Sequence, residues 1–367
     1  GEALMNPPLT VRGLQLRGVH VPMALPLHTG GGRIDIAPLA LVDLLTEQGI
    51  TGSTYLFCYT PRALKPVLQL LAELGNELAG AAVAPLDLDR RLRARFRLLG
   101  VKGVVGMAMA GIDLAAWDAL ARAQGLPLAR ALGSSTRPIR AYNSCGLGLV
   151  GPDAAATEAE RLLAPGFQAV KVRLGYADVQ TDLAVLREVR HAVGDGVTLM
   201  ADYNQSLSVA EARRRVQALD GEGLHWIEEP TLADDHAGHA QVRAHARTAI
   251  QIGENWWGPH EMALSLAAGA SDLGMPDAMK IGGVTGWQRA AALAEAAALP
   301  LSSHLFPEVS AHLLAASPTA DWLEFVDWAA PILQQPVVVR DGHVAANDTP
   351  GSGIAWDEGA VARYRVA

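Results

Sequence analysis

The sequence predicts an α/β protein in which a smaller α+β domain precedes a (β/α)₈ barrel. Two observations support this prediction. The first part of the chain orders strands before helices, whereas the later part alternates short apolar runs with helical segments. In the later part, a polar residue ends each apolar run at intervals of 20 to 29 residues. One polar residue per strand end is the arrangement that a barrel places at its carboxyl-terminal rim.

Composition limits the kinds of partner that this chain can have. It has 367 residues, a net charge of −8 and 19% charged residues. This acidic balance argues against a nucleic-acid or anionic-membrane partner. Its two cysteines, Cys58 and Cys145, lack the spacing of a metal site or a disulfide framework. We expect no apolar run long enough to span a bilayer and no signal peptide, and therefore a cytoplasmic protein.

The first domain is predicted over residues 1–135, with a lid loop near 27–36. The stretch "LALVDLLTEQGITGSTYLF" reads as strands. The stretches "PRALKPVLQLLAELGNELAG" and "MAMAGIDLAAWDALARAQG" carry apolar residues at helical spacing. The run of glycines from 30 to 32 predicts mobility in the lid loop.

The barrel domain is predicted over residues 136–335. A doubly wound open sheet is the alternative, but it usually has fewer parallel strands and a glycine-rich phosphate turn, which we do not find. A C-terminal segment, 336–367, is expected to return to the first domain after a hairpin turn at Asp341 and Gly342. The residues that end the eight runs are Ser144, Arg173, Asp202, Glu228, Glu254, Asp277, His304 and Glu324.

Three of these strand-end residues predict a metal site. Asp202, Glu228 and Glu254 come from consecutive strands and would converge. Facing carboxylates repel one another unless a cation neutralises them, and oxygen ligands without His or Cys favour Mg²⁺ or Mn²⁺. Glu229 would face the opposite side of its strand. An ion-pair network with Lys and Arg is the alternative.

The remaining strand ends predict proton-transfer chemistry. Asp277 and His304 would be neighbours, and a carboxylate behind an imidazole fixes its tautomer and raises its basicity. Lys171 and Arg173, two residues apart, place two cations on one face of their strand. Glu324 is expected to be a neutral acid that stabilises developing negative charge. Such a set would permit removal of the α-proton of a carboxylic acid through an enediolate.

Several stretches of the chain together are typical of one enzyme family. They include "LFCYTP", "AGIDLAAWDAL", "AVKVRLGY", "ADYNQSL", "WIEEPTL", "IGENWWGP", "MPDAMKIGGVTGW" and "SSHLFPEVSAHLLAASPTADWLE". In these stretches the chain resembles the mandelate racemase/muconate lactonizing enzyme family of the enolase superfamily. The resemblance implies a modified TIM barrel with a capping domain, a Mg²⁺ site on the three carboxylates and a His304–Asp277 base. It also implies that Lys171 contacts the substrate carboxylate and that Glu324 is an acid catalyst. Ser144, Asn204 and Tyr59 would contact the substrate, and a homo-oligomer, often an octamer, is expected.

The chain departs from the family pattern at Arg173, where the family has a second lysine that acts as a base. Arginine side chains stay protonated near neutral pH, which handicaps a two-base racemase. Racemisation of a mandelate-type 2-hydroxycarboxylate is the first hypothesis for function, and one-base dehydration of a sugar acid by His304 is the alternative. A catalytically silent homologue that acts as a binding protein is the second alternative. Arg33 of the lid loop faces either the substrate or solvent.

Overall fold

The first part of the chain forms a cap, a three-stranded antiparallel sheet covered by helices. The computed structural model describes residues 8–367, and the strand order of this sheet is β1-β2-β3. Its last strand packs closely on a helix, since a Cβ atom at Gly52 would lie 1.9 Å from the carbonyl oxygen of Ala115. The elements of the cap are β1 (Val11–Thr29), β2 (Gly32–Thr46), β3 (Thr51–Phe57), α1 (Pro61–Leu78), α2 (Pro85–Arg95) and α3 (Gly103–Ala123), followed by the short α4 (Leu128–Ala131).

Local sequence signals explain where the cap helices lie. At the start of α1, the Thr60 side chain accepts a hydrogen bond from the backbone N–H of Arg62, and Pro61 occupies the first turn. Leu64, Val67 and Leu71 are buried along one side of this helix. The two helices predicted from apolar spacing in this domain are therefore present.

Helix α3 is long and apolar enough to cross a membrane by length and composition, contrary to the expectation that no run would be. Its most apolar window has a mean hydropathy of 1.5, and 78% of that window is buried inside the protein. The helix packs on the cap sheet and on the barrel, which explains its composition as that of a core helix.

The lid predicted near 27–36 is a β-hairpin rather than a loop. Strands β1 and β2 pair up to the turn, with Thr29 opposite Gly32. We call residues 27–36 the roof hairpin. Its tip lies against the barrel, because a Cβ atom at Gly30 would lie 2.6 Å from Cβ of Ser206. In addition, the N–H of Leu149 donates to the carbonyl oxygen of His28 at 2.7 Å. The glycines therefore allow a close approach between cap and barrel.

The second part of the chain forms a curled parallel sheet with helices outside it, which confirms the modified barrel with a capping domain. The order of the strands is β10-β4-β5-β6-β7-β8-β9. The strands are β4 (Ile139–Asn143), β5 (Ala169–Arg173), β6 (Thr198–Asp202), β7 (Ile227–Glu228), β8 (Ile250–Ile252), β9 (Leu273–Gly274) and β10 (Leu323–Phe325). The helices are α5 (Pro152–Leu163), α6 (Val179–Val193), α7 (Val209–Leu219), α8 (His236–Arg243), α9 (Pro259–Ala267), α10 (Gly283–Ala296) and α11 (Pro307–Ala315).

The run "LSSH" occupies the place between β9 and β10 without forming a continuous strand. Isolated bridges join Leu301 to Gly274, His304 to Asp277, and Leu301 to Ala320. These bridges hold His304 beside Asp277 at the rim, as the spacing predicts.

Below the rim, the barrel interior is filled by large side chains that also orient the polar residues above them. The indole N–H of Trp226 donates to Glu228 at 3.0 Å, and the hydroxyl of Tyr142 donates to Glu324 at 3.1 Å. The rings of Tyr142 and Trp226 pack edge to face, with centroids 5.3 Å apart. The hydrophobic floor of the barrel thus fixes two of the carboxylates.

The C-terminal segment contacts both parts of the molecule. After a 3₁₀ turn (Ala330–Ile332), residues Asp341 and Gly342 form the predicted turn, both with positive φ, and β11 (His343–Val344) pairs with β4 of the barrel. Further on, the indole N–H of Trp356 donates to Asp43 of the cap at 2.8 Å, and α12 (Glu358–Tyr364) follows. The boundaries drawn at 135 and 335 stay predictions.

Candidate active site and metal centre

The strand ends meet in one cavity between the barrel and the cap. The register of the sheet places Arg173 opposite Asp202, and Asp202 opposite Glu228, so these side chains lie side by side. The cavity has a volume of about 650 Å³, and the roof hairpin forms part of its wall. Predicted site residues that line it are Tyr59, Lys171, Arg173, Asp202, Asn204, Glu254, His304 and Glu324.

Asp202, Glu228 and Glu254 form a compact, buried carboxylate cluster. One oxygen of each lies within 4.8 Å of the others. Burial and the neighbouring Asp202 raise the pKa of Glu228 well above its ordinary value, although Lys171 opposes this effect. Oxygen ligands at this spacing, with excess negative charge, fit a hard divalent cation such as Mg²⁺. The three residues therefore suit the ion that the sequence predicts.

Lys171 lies at the centre of this negative charge. Its Nζ is 2.8 Å from Glu228, 2.8 Å from Glu324 and 3.1 Å from Asp202. Burial lowers the pKa of Lys171, but the three carboxylates outweigh burial and raise the pKa above its ordinary value. These carboxylates favour the charged form of Lys171 in this arrangement, which suits the predicted contact with a substrate carboxylate.

His304 is held between two carboxylates. Its Nδ1 lies 2.7 Å from Asp277, and its Nε2 lies 2.8 Å from Glu254. Asp277 is itself fixed by the backbone N–H groups of Met279 and Lys280, at 2.8 and 2.9 Å. Burial lowers the pKa of His304, but Glu254, Glu324 and Asp277 together raise it well above its ordinary value. The Asp277 contact turns Nε2 toward Glu254 and the cavity, which is the orientation that the predicted general base needs.

The surroundings of Glu324 favour its ionised form, whereas the sequence predicts a neutral acid; its role in catalysis stays a prediction. Burial raises the pKa of its carboxyl group, but Lys171 and His304 outweigh burial and lower the pKa to about 2. Ser144 donates to the same carboxylate at 2.9 Å, and the N–H of Leu305 donates to it at 2.9 Å. The sequence pattern could not show that Lys171 on β5 reaches past β4 to Glu324 on β10.

Arg173 is anchored to the backbone rather than paired with an acid. Its Nη1 donates to the carbonyl oxygens of Ser144 and Gly146 at 2.7 and 2.8 Å, and its Nη2 donates to the Ser144 hydroxyl at 2.9 Å. Within residues 8–367, no carboxylate lies within 4.0 Å of its nitrogens. Its guanidinium therefore fixes the loop after β4 and adds one positive charge to the cavity.

The three residues predicted to contact the substrate, Ser144, Asn204 and Tyr59, differ in whether they line the cavity. Ser144 is fully buried beneath Arg173 and Glu324, outside the cavity lining. Asn204 lines the cavity and donates to Asp202 at 3.1 Å, while its buried Oδ1 has no hydrogen-bond partner among residues 8–367. The buried Tyr59 hydroxyl also has none in this described part of the chain. Asn204 and Tyr59 therefore have polar atoms free for a ligand, whereas Ser144 acts through its neighbours.

Three further polar residues line the cavity, and the sequence alone did not indicate that they would. Glu229 was expected to face away, but its positive φ of 37° turns it into the cavity. Asn255 donates to Glu229 at 2.6 Å, and Lys280 donates to Asn255 at 2.6 Å. In the sequence, these residues follow closely after Glu228, Glu254 and Asp277, and this closeness could have indicated that they line the same cavity.

Arg33 of the roof hairpin lines the cavity and lies near its opening. Its Nε pairs with Asp35 at 2.8 Å, and 64% of its side chain is exposed. The guanidinium thus has a neighbouring counter-charge on the same face of β2. Arg33 borders the cavity and also faces solvent, and its contact with a substrate stays a prediction.

Fold and site together define an enzyme with a divalent-cation site at the rim of a capped barrel. The family models match in order along the chain: the mandelate racemase/muconate lactonizing enzyme N-terminal domain over residues 12–133, and the enolase C-terminal domain-like family over residues 154–360. The chain therefore belongs to the mandelate racemase/muconate lactonizing enzyme family of the enolase superfamily.

Similar proteins support this membership along the whole chain. The 3,6-anhydro-α-L-galactonate cycloisomerase of Streptomyces coelicolor is 30% identical over 351 residues, which cover 95% of this chain and 97% of that protein. The L-talarate/galactarate dehydratase of Salmonella typhimurium is 30% identical over 359 residues, covering 95% and 89%. An enolase from Bradyrhizobium, crystallised with magnesium and mandelic acid, is 47% identical with a TM-score of 0.94, covering 99% and 100%.

The chain is thus a Mg²⁺-dependent enzyme of the enolase superfamily. Relatives with different names, a cycloisomerase and a dehydratase among them, share its fold, so family membership leaves the reaction open. The residues of this site must decide between the reactions.

Proposed function

We propose that this enzyme removes the α-proton of a 2-hydroxycarboxylate with one base, His304, and dehydrates a sugar acid. The observation that carries this proposal is the anchoring of Arg173. Its Nη1 uses both hydrogens on the carbonyl oxygens of Ser144 and Gly146. Loss of one of these protons would leave a buried carbonyl oxygen without its donor, which costs free energy. Arg173 is therefore a fixed cation and a poor second base.

Each remaining residue has a role in one-base chemistry. Asp202, Glu228 and Glu254 would hold Mg²⁺, which supplies positive charge next to the substrate carboxylate when bound. Lys171 adds a further fixed cation beside the same group. Charge that develops on the substrate carboxylate during proton removal is stabilised by such preorganised cations.

His304 alone can carry out both proton transfers of the dehydration. Nε2 accepts the α-proton, and the β-hydroxyl then leaves with that proton as water. The resulting enol rearranges to a 2-keto acid, so no second base or external reagent is required. Asp277 keeps the imidazole oriented in both steps through its contact with Nδ1.

Racemisation of a mandelate-type acid is the second candidate function. Mandelic acid is bound in the Bradyrhizobium structure, which supports an aromatic substrate here. Phe57, Tyr59 and Trp328 of this chain line the cavity and would pack against an aromatic ring. Racemisation needs a base on the face opposite His304, and the residue expected there is Arg173.

A panel of 2-hydroxy acids separates the two functions. Sugar acids are assayed for 2-keto-acid formation, and both enantiomers of mandelate are followed by polarimetry, in each case with Mg²⁺. We expect 2-keto acid from at least one sugar acid and slow or no racemisation. Rapid racemisation of mandelate without 2-keto-acid formation would favour the second candidate. Binding without turnover or α-proton exchange across the panel would support a silent binding protein.

Location and assembly are further parts of the proposal. The net charge of −8 supports a small-molecule partner over nucleic acid or an anionic membrane. A cytoplasmic homo-oligomer, an octamer by family resemblance, is proposed. Light scattering after size-exclusion chromatography measures the number of subunits.

A further inference from the structure

Lys280 is a buried cation that the proposed mechanism does not use. It is only 8% exposed and lines the same cavity as His304 and Glu254. Its Nζ donates to Asn255 at 2.6 Å and lies 4.4 Å from the centroid of the Tyr59 ring. Within the described residues 8–367, no carboxylate oxygen lies within 4.0 Å of this nitrogen.

The ammonium group of Lys280 has donors to spare. A lysine ammonium carries three N–H donors, and Asn255 is the one hydrogen-bond acceptor that it meets in the described chain. The face of the Tyr59 ring attracts the cation but is not a counter-ion. A buried cation without a paired anion is unfavourable. The arrangement suits an anion that enters the cavity.

The position of this charge is fixed by three successive strand ends. Asn255, which follows Glu254, is held by Glu229 at 2.6 Å, and Glu229 follows Glu228. Tyr59 reaches Lys280 from the cap, with a positive φ of 59° that places its ring there. Lys280 is therefore preorganised, which reduces the entropy cost of binding an anionic group.

We infer that Lys280 is a specificity-determining residue that pairs with a second carboxylate of the substrate. The inference rests on the proposed function, in which the α-carboxylate occupies the site formed by Lys171 and the metal ligands. A second carboxylate then makes the substrate a hydroxy dicarboxylate. Arg33 and Arg173 also line the cavity, but Asp35 pairs with Arg33, and the carbonyl oxygens of Ser144 and Gly146 hold Arg173.

Matched pairs of sugar acids test this inference. Each pair has the same stereochemistry and differs at the terminal carbon, which is a carboxylate in the aldaric acid and a CH₂OH group in the aldonic acid. Dissociation constants are measured by calorimetry in the presence of Mg²⁺, and kcat/KM is measured where turnover occurs. Lys280→Met is compared with wild type and with Lys280→Arg, which keeps the charge. Lys65→Met, at an exposed lysine, is the control.

We expect wild type to bind the aldaric acid more tightly than the matching aldonic acid. In Lys280→Met, the ratio of the two dissociation constants should change at least about tenfold against the aldaric acid. Binding of the aldonic acid should change less than about threefold, and Lys280→Arg should keep the preference. Equal losses for both acids, or a preference that disappears in Arg33→Met instead, would overturn the inference. Failure of every aldaric acid to bind would overturn it too. If aldaric acids bind through Lys280 but do not exchange their α-proton, the proposed function is refuted and the inference about Lys280 stands.

Discussion

Replacing Arg173 by lysine tests whether this enzyme has one base. In the structure, the guanidinium makes three hydrogen bonds, to the carbonyl oxygens of Ser144 and Gly146 and to the Ser144 hydroxyl. A lysine is shorter and has a single nitrogen, so it cannot keep all three. Losing one or two buried hydrogen bonds should lower the free energy of unfolding by about 1–3 kcal/mol.

The same substitution should create a second base. Lysine releases its proton far more readily than arginine, and the ammonium of Lys171, two residues away on β5, disfavours a second positive charge. A positioned general base typically contributes about 10²–10⁴-fold to a rate. We therefore expect α-proton exchange of the enantiomer that faces away from His304 to rise by about 100-fold or more in Arg173→Lys.

The assay is proton exchange with D₂O, followed by NMR for each enantiomer of a reactive 2-hydroxy acid. Wild type should exchange one enantiomer at least about 100-fold faster than the other. Arg187→Lys, at an exposed arginine paired with Glu222, is the matched control and should change neither rate. If wild type exchanges both enantiomers at similar rates and Arg173→Lys does no better, Arg173 is a competent base and the one-base reasoning is wrong.

Three further predictions concern the metal site, the base and stability. Glu254→Gln should weaken Mg²⁺ binding in calorimetry and abolish turnover while circular dichroism stays unchanged; activity in excess EDTA would contradict the metal assignment. His304→Asn should stop exchange of the α-proton that faces it, and an unchanged rate would place the base elsewhere. Burial raises the pKa of Glu308 to about 7, so the folded protein holds a proton that the unfolded chain releases. Stability from this group is fully present below about pH 4 and is lost as pH rises to 7, by up to about 3 kcal/mol. In Glu308→Gln, Tyr55 can still donate to the side-chain oxygen. The free energy of unfolding, measured with denaturant, should therefore fall less between about pH 4 and pH 7 than in wild type. An equal fall in both proteins would show that Glu308 is not the group responsible.

The fold could be predicted from the sequence because each signal was local and repeated. The interval between strand-end residues is the length of one strand, one helix and two loops. This length does not depend on contacts between distant parts of the chain. The same interval brought Asp277 beside His304 and gathered the three carboxylates. Their roles as base and metal ligands stay predictions, but their proximity follows from spacing alone.

Features that depend on a backbone angle or on contacts across the molecule could not be predicted. Glu229 lies in the cavity because its φ is positive, which strand alternation does not reveal. The roof hairpin was predicted as a mobile loop because its glycines were read without Ser206, against which Gly30 packs. Ser144 was placed in contact with the substrate, but Arg173 and Glu324 cover it.

The contacts of Lys171 have a consequence for how this protein matures. Its Nζ offsets part of the negative charge of Asp202, Glu228 and Glu324 with a positive charge that belongs to the chain itself. We therefore expect the chain to fold around these acids without Mg²⁺, unlike a zinc finger, whose folding depends on its ion. Addition and removal of Mg²⁺ should then change the occupancy of the site while the fold stays intact.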